Sequence, residues 1–83
     1  MAEELIGTIS HWFGNIKVAG IELTGTLAVG DQVHILGHTT DFEQEIASMQ
    51  IDNEDVNEAG RGDDVGVKLK ARARVGDRVY KVE

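Results

Sequence analysis

An all-β fold is what this sequence predicts, and three observations carry the prediction. Ten glycines punctuate the chain at short intervals without a single proline. Between them, β-branched residues alternate with polar ones at the period of a half-buried strand. No stretch keeps apolar residues at helical spacing behind a cap; even 51–59, rich in helix formers, offers only Ile51, Val56 and Ala59. The chain has 83 residues and no cysteine, so disulfides and thiolate zinc sites cannot staple a core. A chain of this size buries only about 60–65% of its extended surface on folding, and closing the sheet on itself removes unpaired edges. The expected architecture is a single small closed antiparallel β-barrel of about six to seven strands, with residues 1–83 as one domain.

The elements follow in order. Strands are expected near 4–11, 15–23, 32–37, 42–51, 64–74 and 77–82, with a short extended piece at 54–58. Turns are marked by Phe13-Gly14-Asn15, Val29-Gly30-Asp31, Gly37-His38, Ala59-Gly60-Arg61-Gly62-Asp63 and Val75-Gly76-Asp77. Two strands change phase. Ile16 and Val18 share one parity while Ile21 and Leu23 take the other; Phe42 and Ile46 likewise disagree with Met49 and Ile51. Either each strand carries a β-bulge, or each is two strands joined by a kink. The segment 64–75 is the plainest strand. Val65, Val67, Leu69, Ala71, Ala73 and Val75 point to one side, and Lys68, Lys70, Arg72 and Arg74 to the other.

Charge narrows the function classes. The net charge of −7 opposes strong non-specific nucleic-acid binding, which draws its affinity from counterion release. The average hides an asymmetry, because residues 1–60 hold eleven Asp or Glu against Lys17 alone, whereas 61–83 hold seven Lys or Arg against four acids. No apolar run reaches the roughly 20 residues of a membrane helix, and the acidic start Met1-Ala2-Glu3-Glu4 is unlike a signal peptide. A cytoplasmic protein without membrane contact is the expectation.

The turns also spell a family pattern. Gly25-Thr26-Leu27-Ala28-Val29-Gly30-Asp31-Gln32-Val33, Ala59-Gly60-Arg61-Gly62-Asp63-Asp64-Val65-Gly66-Val67 and Val75-Gly76-Asp77-Arg78-Val79 resemble three segments of domain 2, the β-barrel of translational GTPases such as elongation factor Tu. Ile6-Gly7-Thr8-Ile9 resembles its first strand. Gly37-His38-Thr39-Thr40-Asp41-Phe42, with Ser48-Met49-Gln50-Ile51, is similar to the small stand-alone proteins called translation elongation factor-like. The resemblance implies a binding module related to translation, docking ribosomal or transfer RNA or a translation protein. Two departures limit it. There is no phosphate-cradling Gly-x-x-x-x-Gly-Lys-Ser/Thr loop, hence no GTPase. Around Met49 the carboxylate and arginine that hold an aminoacyl ester are replaced by Ser48 and Ile51.

The candidate binding residues are Trp12, Phe13, Arg61, Lys68, Lys70, Arg72 and Arg74. Strand residues two apart advance about 6.6–7 Å, so the four alternating cations would track phosphates, with Arg61, Arg78 or Lys81 extending the patch. The competing reading is a solvated face neutralised across the sheet by Asp41, Glu43 and Glu45. His11-Trp12-Phe13 either receives a partner or plugs one mouth of the barrel. His34 and His38 lie about 13 Å apart along an extended strand, too far to share a metal. Asp52, Glu54, Asp55 and Glu58 lack the spacing of a calcium loop. Ser10 and His11 point to opposite faces and form no nucleophile–base pair. Arg61-Gly62-Asp63 is most simply a turn. These readings predict no enzyme, metal or cofactor. The function they leave in second place is a protein-interaction or accessory barrel serving an enzyme encoded elsewhere.

Overall fold

Alternation of apolar and polar residues builds strands along the described chain, joined by turns and loops. The computed structural model describes Glu3–Val82. It contains β1 (Glu3–Phe13), β2 (Val18–Leu23), β3 (Leu27–Ala28), β4 (Gln32–Leu36), β5 (Asp41–Glu45), β6 (Met49–Ile51), β7 (Glu54–Val56), β8 (Glu58–Ala59), β9 (Asp64–Lys68) and β10 (Arg78–Val82). No helix occurs among the described residues, so none is long and apolar enough to cross a membrane.

Eight strands form one antiparallel sheet in the order β5-β4-β10-β1-β2-β9-β6-β7, and β3 pairs with β8 as a separate ladder. Ile6, Ile9, Ile21, Val33, Ile35, Val65, Val67 and Val79 fill the inner face, each at most 1% exposed. The Cα radius of gyration of 11.1 Å matches the roughly 12 Å of a compact chain of this length.

Among the described residues the expected closed barrel is not found, and the strands number ten rather than six to seven. The ladder stops at β5 on one side and β7 on the other. Past β5 the backbone of Ile46 is committed elsewhere. Its N–H donates to the Asp31 carbonyl and its carbonyl accepts from Gly30, both at 2.8 Å, which turns the chain away from β9. The gap is bridged by a side chain. Gln44 Nε2 donates to the Lys68 carbonyl at 3.1 Å, and Gln44 Oε1 accepts the Lys70 N–H at 2.7 Å.

Both phase changes have a physical cause. In the first, Ile16 lies outside β2, in a four-residue turn that ends with Lys17 at φ 56°, and is 60% exposed. The bulge sits on the partner strand instead. Ile9 opposes Ile21 and His11 opposes Gly20, so Ser10 is the extra residue, and its hydroxyl donates to the Gly20 carbonyl. A second irregularity between Leu5 and Gly7 lets Ile6 turn inward. In the other case the kinked reading holds, with β5 and β6 as separate strands around 46–48.

Three turns share one construction. In Ala28–Asp31, Gly60–Asp63 and Arg74–Asp77, the aspartate N–H donates to the first residue's carbonyl at 3.0–3.1 Å. The aspartate carboxylate accepts the first residue's N–H at 2.8–2.9 Å. The glycines at the third position have φ of 97°, 90° and 96°, the conformation a type II turn requires there. Two residues beyond each aspartate, Val33, Val65 or Val79 is buried. In the last turn, Asp77 presses its carboxylate against the Cα of Gly37, leaving no room for a side chain at that position.

Candidate functional site

The cationic segment is shorter as a strand than its sequence suggests. β9 ends at Lys68, where its partner β2 gives way to the turn that holds Lys17 at positive φ; the Leu69 N–H still bonds the Lys17 carbonyl at 2.8 Å, one step further in the same register. Alternation of burial nevertheless continues to Ala73, so Lys68, Lys70, Arg72 and Arg74 all remain exposed. Val75, expected inside, is 66% exposed because it occupies the Arg74–Asp77 turn. β5 lies beside this segment, since Gln44 reaches the Lys68 carbonyl and the Lys70 N–H, but among the described residues no ion pair joins Asp41, Glu43 or Glu45 to these cations. The ion pairs among the described residues join His34 to Glu3 and Asp41, and Lys81 to Asp31. Arg61 is separated from the other cations by the length of β9, roughly 13 Å. Lys81 donates to Thr26 and pairs with Asp31 at 3.5 Å, so it does not extend the patch.

The aromatic residues divide between two faces. Trp12 is partly buried against the core, and with Gly14, Lys17, Ala71 and Arg72 it lines a depression of about 570 Å³. Trp12 thus packs against the core and leaves part of its surface beside Lys17 and Arg72. His11 and Phe13 point outward with ring centroids 6.1 Å apart, and Phe13 is 52% exposed. With Ile16 and Val18 they wall a second depression of about 590 Å³, over the cross-strand pair Gly20 and Gly66. Asp52 and Asp64 stand on its rim. This trough was missed from sequence. Its one signal was a glycine inside the strand Val65-Gly66-Val67, where no turn is needed.

The remaining candidates resolve into structure. His34 Nδ1 meets Glu3 at 2.9 Å and Nε2 meets Asp41 at 2.5 Å. Both ring nitrogens are thereby engaged on opposite sides. The hydrogen bond to Asp41 raises the His34 pKa above the usual imidazole range; burial opposes the rise, and the bond to Glu3 and both negative charges add to it. Asp52 and Asn53, with φ of 52° and 66°, are the two-residue loop of the β6–β7 hairpin, and Glu54 and Asp55 lie on its second strand.

With this geometry in view, comparison with known proteins is informative. No protein-family profile matches the chain. An uncharacterized protease of Methanocaldococcus jannaschii is 45% identical over 76 residues, 90% of this chain. The chain spans 19% of that relative's length. Among solved structures, the C-terminal domain of a Geobacillus thermoleovorans protein provisionally assigned as a U32 peptidase superposes with a TM-score of 0.90. That match is 18% identical and covers 96% of this chain and 93% of the other. A selenomethionine form of the same domain gives a TM-score of 0.86, again at 18% identity, over 92% and 96% of the two chains.

The fold is therefore that of a U32 peptidase C-terminal domain. The resemblance to domain 2 of translational GTPases, and to elongation factor-like proteins, is corrected accordingly. The translation-related RNA-binding role drawn from it falls too. The physical reason lies in the motif itself. Each Gly-Asp-x-Val is a self-capped turn feeding a buried valine, a folding device that carries no information about a ligand.

Proposed function

We propose that this chain is a non-catalytic accessory domain of the kind carried by U32 peptidases, binding a polypeptide surface on behalf of the enzyme. The observation that carries the reading is the match to an archaeal protease, which takes in 90% of this chain and 19% of that protein. A segment that forms so small a share of the relative, and whose fold recurs in the C-terminal domain of another protein, is read as an appendage to the peptidase body. The contact face is Trp12 with Lys17 and Arg72, and the exposed Lys70 and Arg74 follow on the same segment. An acidic surface of the enzyme body is its complement. Arg61 stands apart from it, and Phe13 faces the other depression.

The test uses the archaeal protease with and without its matching 76 residues. Removing them is expected to raise KM severalfold with little change in kcat, and adding this chain in trans to restore it. Lys70→Glu/Arg72→Glu should abolish the restoration. Peptide cleavage by this chain alone, or a truncation without effect, rules the reading out.

A further inference from the structure

We propose that the outer trough over Gly20 and Gly66 binds an extended polypeptide segment carrying a lysine or arginine flanked by apolar residues. The argument starts with Gly66. It lies in a strand paired on both sides, opposite Gly20 of β2 and Gln50 of β6. A glycine there weakens a sheet, and backbone conformation or close packing is the usual reason to find one. Neither applies. Gly66 is not among the positive-φ glycines, and a Cβ placed on it would meet Val18 Cγ1 at 3.5 Å and the Gln50 carbonyl at 3.9 Å, both ordinary contacts. What its missing side chain does provide is depth on the outer face. Gly20 beside it is tighter, with a Cβ meeting His11 and Ser10 at 3.2–3.3 Å, so the pair together floors the trough.

Chemistry of the walls selects the occupant. Phe13 and Ile16 are 52% and 60% exposed, apolar surface that folding leaves uncovered. The rim carries Asp52 and Asp64, and no lysine or arginine lines the trough. Neither aspartate has a cation within ion-pair distance among the described residues. An aliphatic stem ending in a cation fits such a surface, the stem lying along Phe13 and Ile16 and the charge reaching a carboxylate. A nucleic acid would meet the aspartates with like charge. The volume of about 590 Å³ lies within the roughly 300–1,000 Å³ of ordinary ligand sites. This inference stands on geometry and charge, and does not rest on service to a peptidase.

The test titrates the isotopically labelled chain with acetyl-Leu-Arg-Leu-Lys-Val-amide and with acetyl-Leu-Glu-Leu-Asp-Val-amide, following backbone amide signals. The cationic peptide is expected to move Gly20 and Gly66 saturably. The anionic peptide, and the cationic one on Asp64→Lys, should bind at least tenfold more weakly. Gly66→Val is expected to fold as stably as the parent or more so, yet to lose the peptide, with Gly66→Ala as the milder second variant. A glycine kept only for folding would instead show a loss of stability. The proposal is overturned by equal affinity for both peptides, by no shift at millimolar peptide, or by full binding to Gly66→Val. N-acetyl-arginine amide binding as tightly as the peptide reassigns the site to a small cation. The same shifts appearing on concentrating the chain alone reassign it to a second copy.

Discussion

The Gly-Asp turns and the tip of the β1–β2 hairpin differ in how much they leave unfinished. In each turn the aspartate satisfies the backbone locally, and the valine two residues on is buried. At the hairpin tip, Phe13 and Ile16 stand more than half exposed, and Lys17 sits in the left-handed region. The difference separates residues whose place is explained by folding from residues whose place is not. In the turns, stability accounts for the glycine, the aspartate and the buried valine, though Val29 and Val75 inside two of them stay exposed; the hairpin tip gathers its exposed Phe13 and Ile16 around one depression.

Two isoleucines give the sharpest test of that contrast. Ile21→Ala removes a fully buried side chain and is expected to cost about 3–4 kcal/mol, whereas Ile16→Ala at the tip should stay within about 0.5 kcal/mol. Denaturant midpoints check both, and comparable losses would erase the distinction. Within the turns the same reasoning ranks the aspartates. Asp77 is 6% exposed and Asp31 is more open, so Asp77→Ala should cost about 2 kcal/mol and Asp31→Ala about 1. Equal costs would mean that the turn alone matters and burial does not.

The smallest effect belongs to His34, on the outer face away from both regions. Its pKa is raised in the folded state, chiefly by the Asp41 hydrogen bond, so it contributes stability that is fully present below the unfolded value near 6.5. That contribution fades as pH rises through the higher folded value. Comparing the parent with His34→Gln, the parent's advantage should shrink steadily from about pH 6 upward. An advantage that grows with pH contradicts the clamp with Glu3 and Asp41.

The strands and turns were legible because they depend on local pattern. Gly30, Gly62 and Gly76 each announce a positive φ, and alternation places Val65 and Val67 inside. What was not legible depends on partners distant in sequence. The bulge at Ser10 shows itself only through the register of β2, so the phase change in the sequence pointed to the wrong strand. The end of β9 is set by its partner strand, which gives way to a turn at Lys17, and nothing in 64–75 records that. The trough is formed where Gly20 and Gly66 meet across a ladder. The translation resemblance failed for a related reason, since its shared residues were those that make turns.

Gln44 has a consequence for how this shell opens. The seam between β5 and the chain beyond β9 is held by one side-chain amide, where other neighbours in the sheet are held by backbone ladders. An exposed side chain changes rotamer in picoseconds to nanoseconds, while parting a ladder requires local unfolding. The gap therefore works as a clasp: a single rotation frees the Lys70 N–H to solvent while every strand stays paired, so its amide proton reports the clasp and not the stability of the fold.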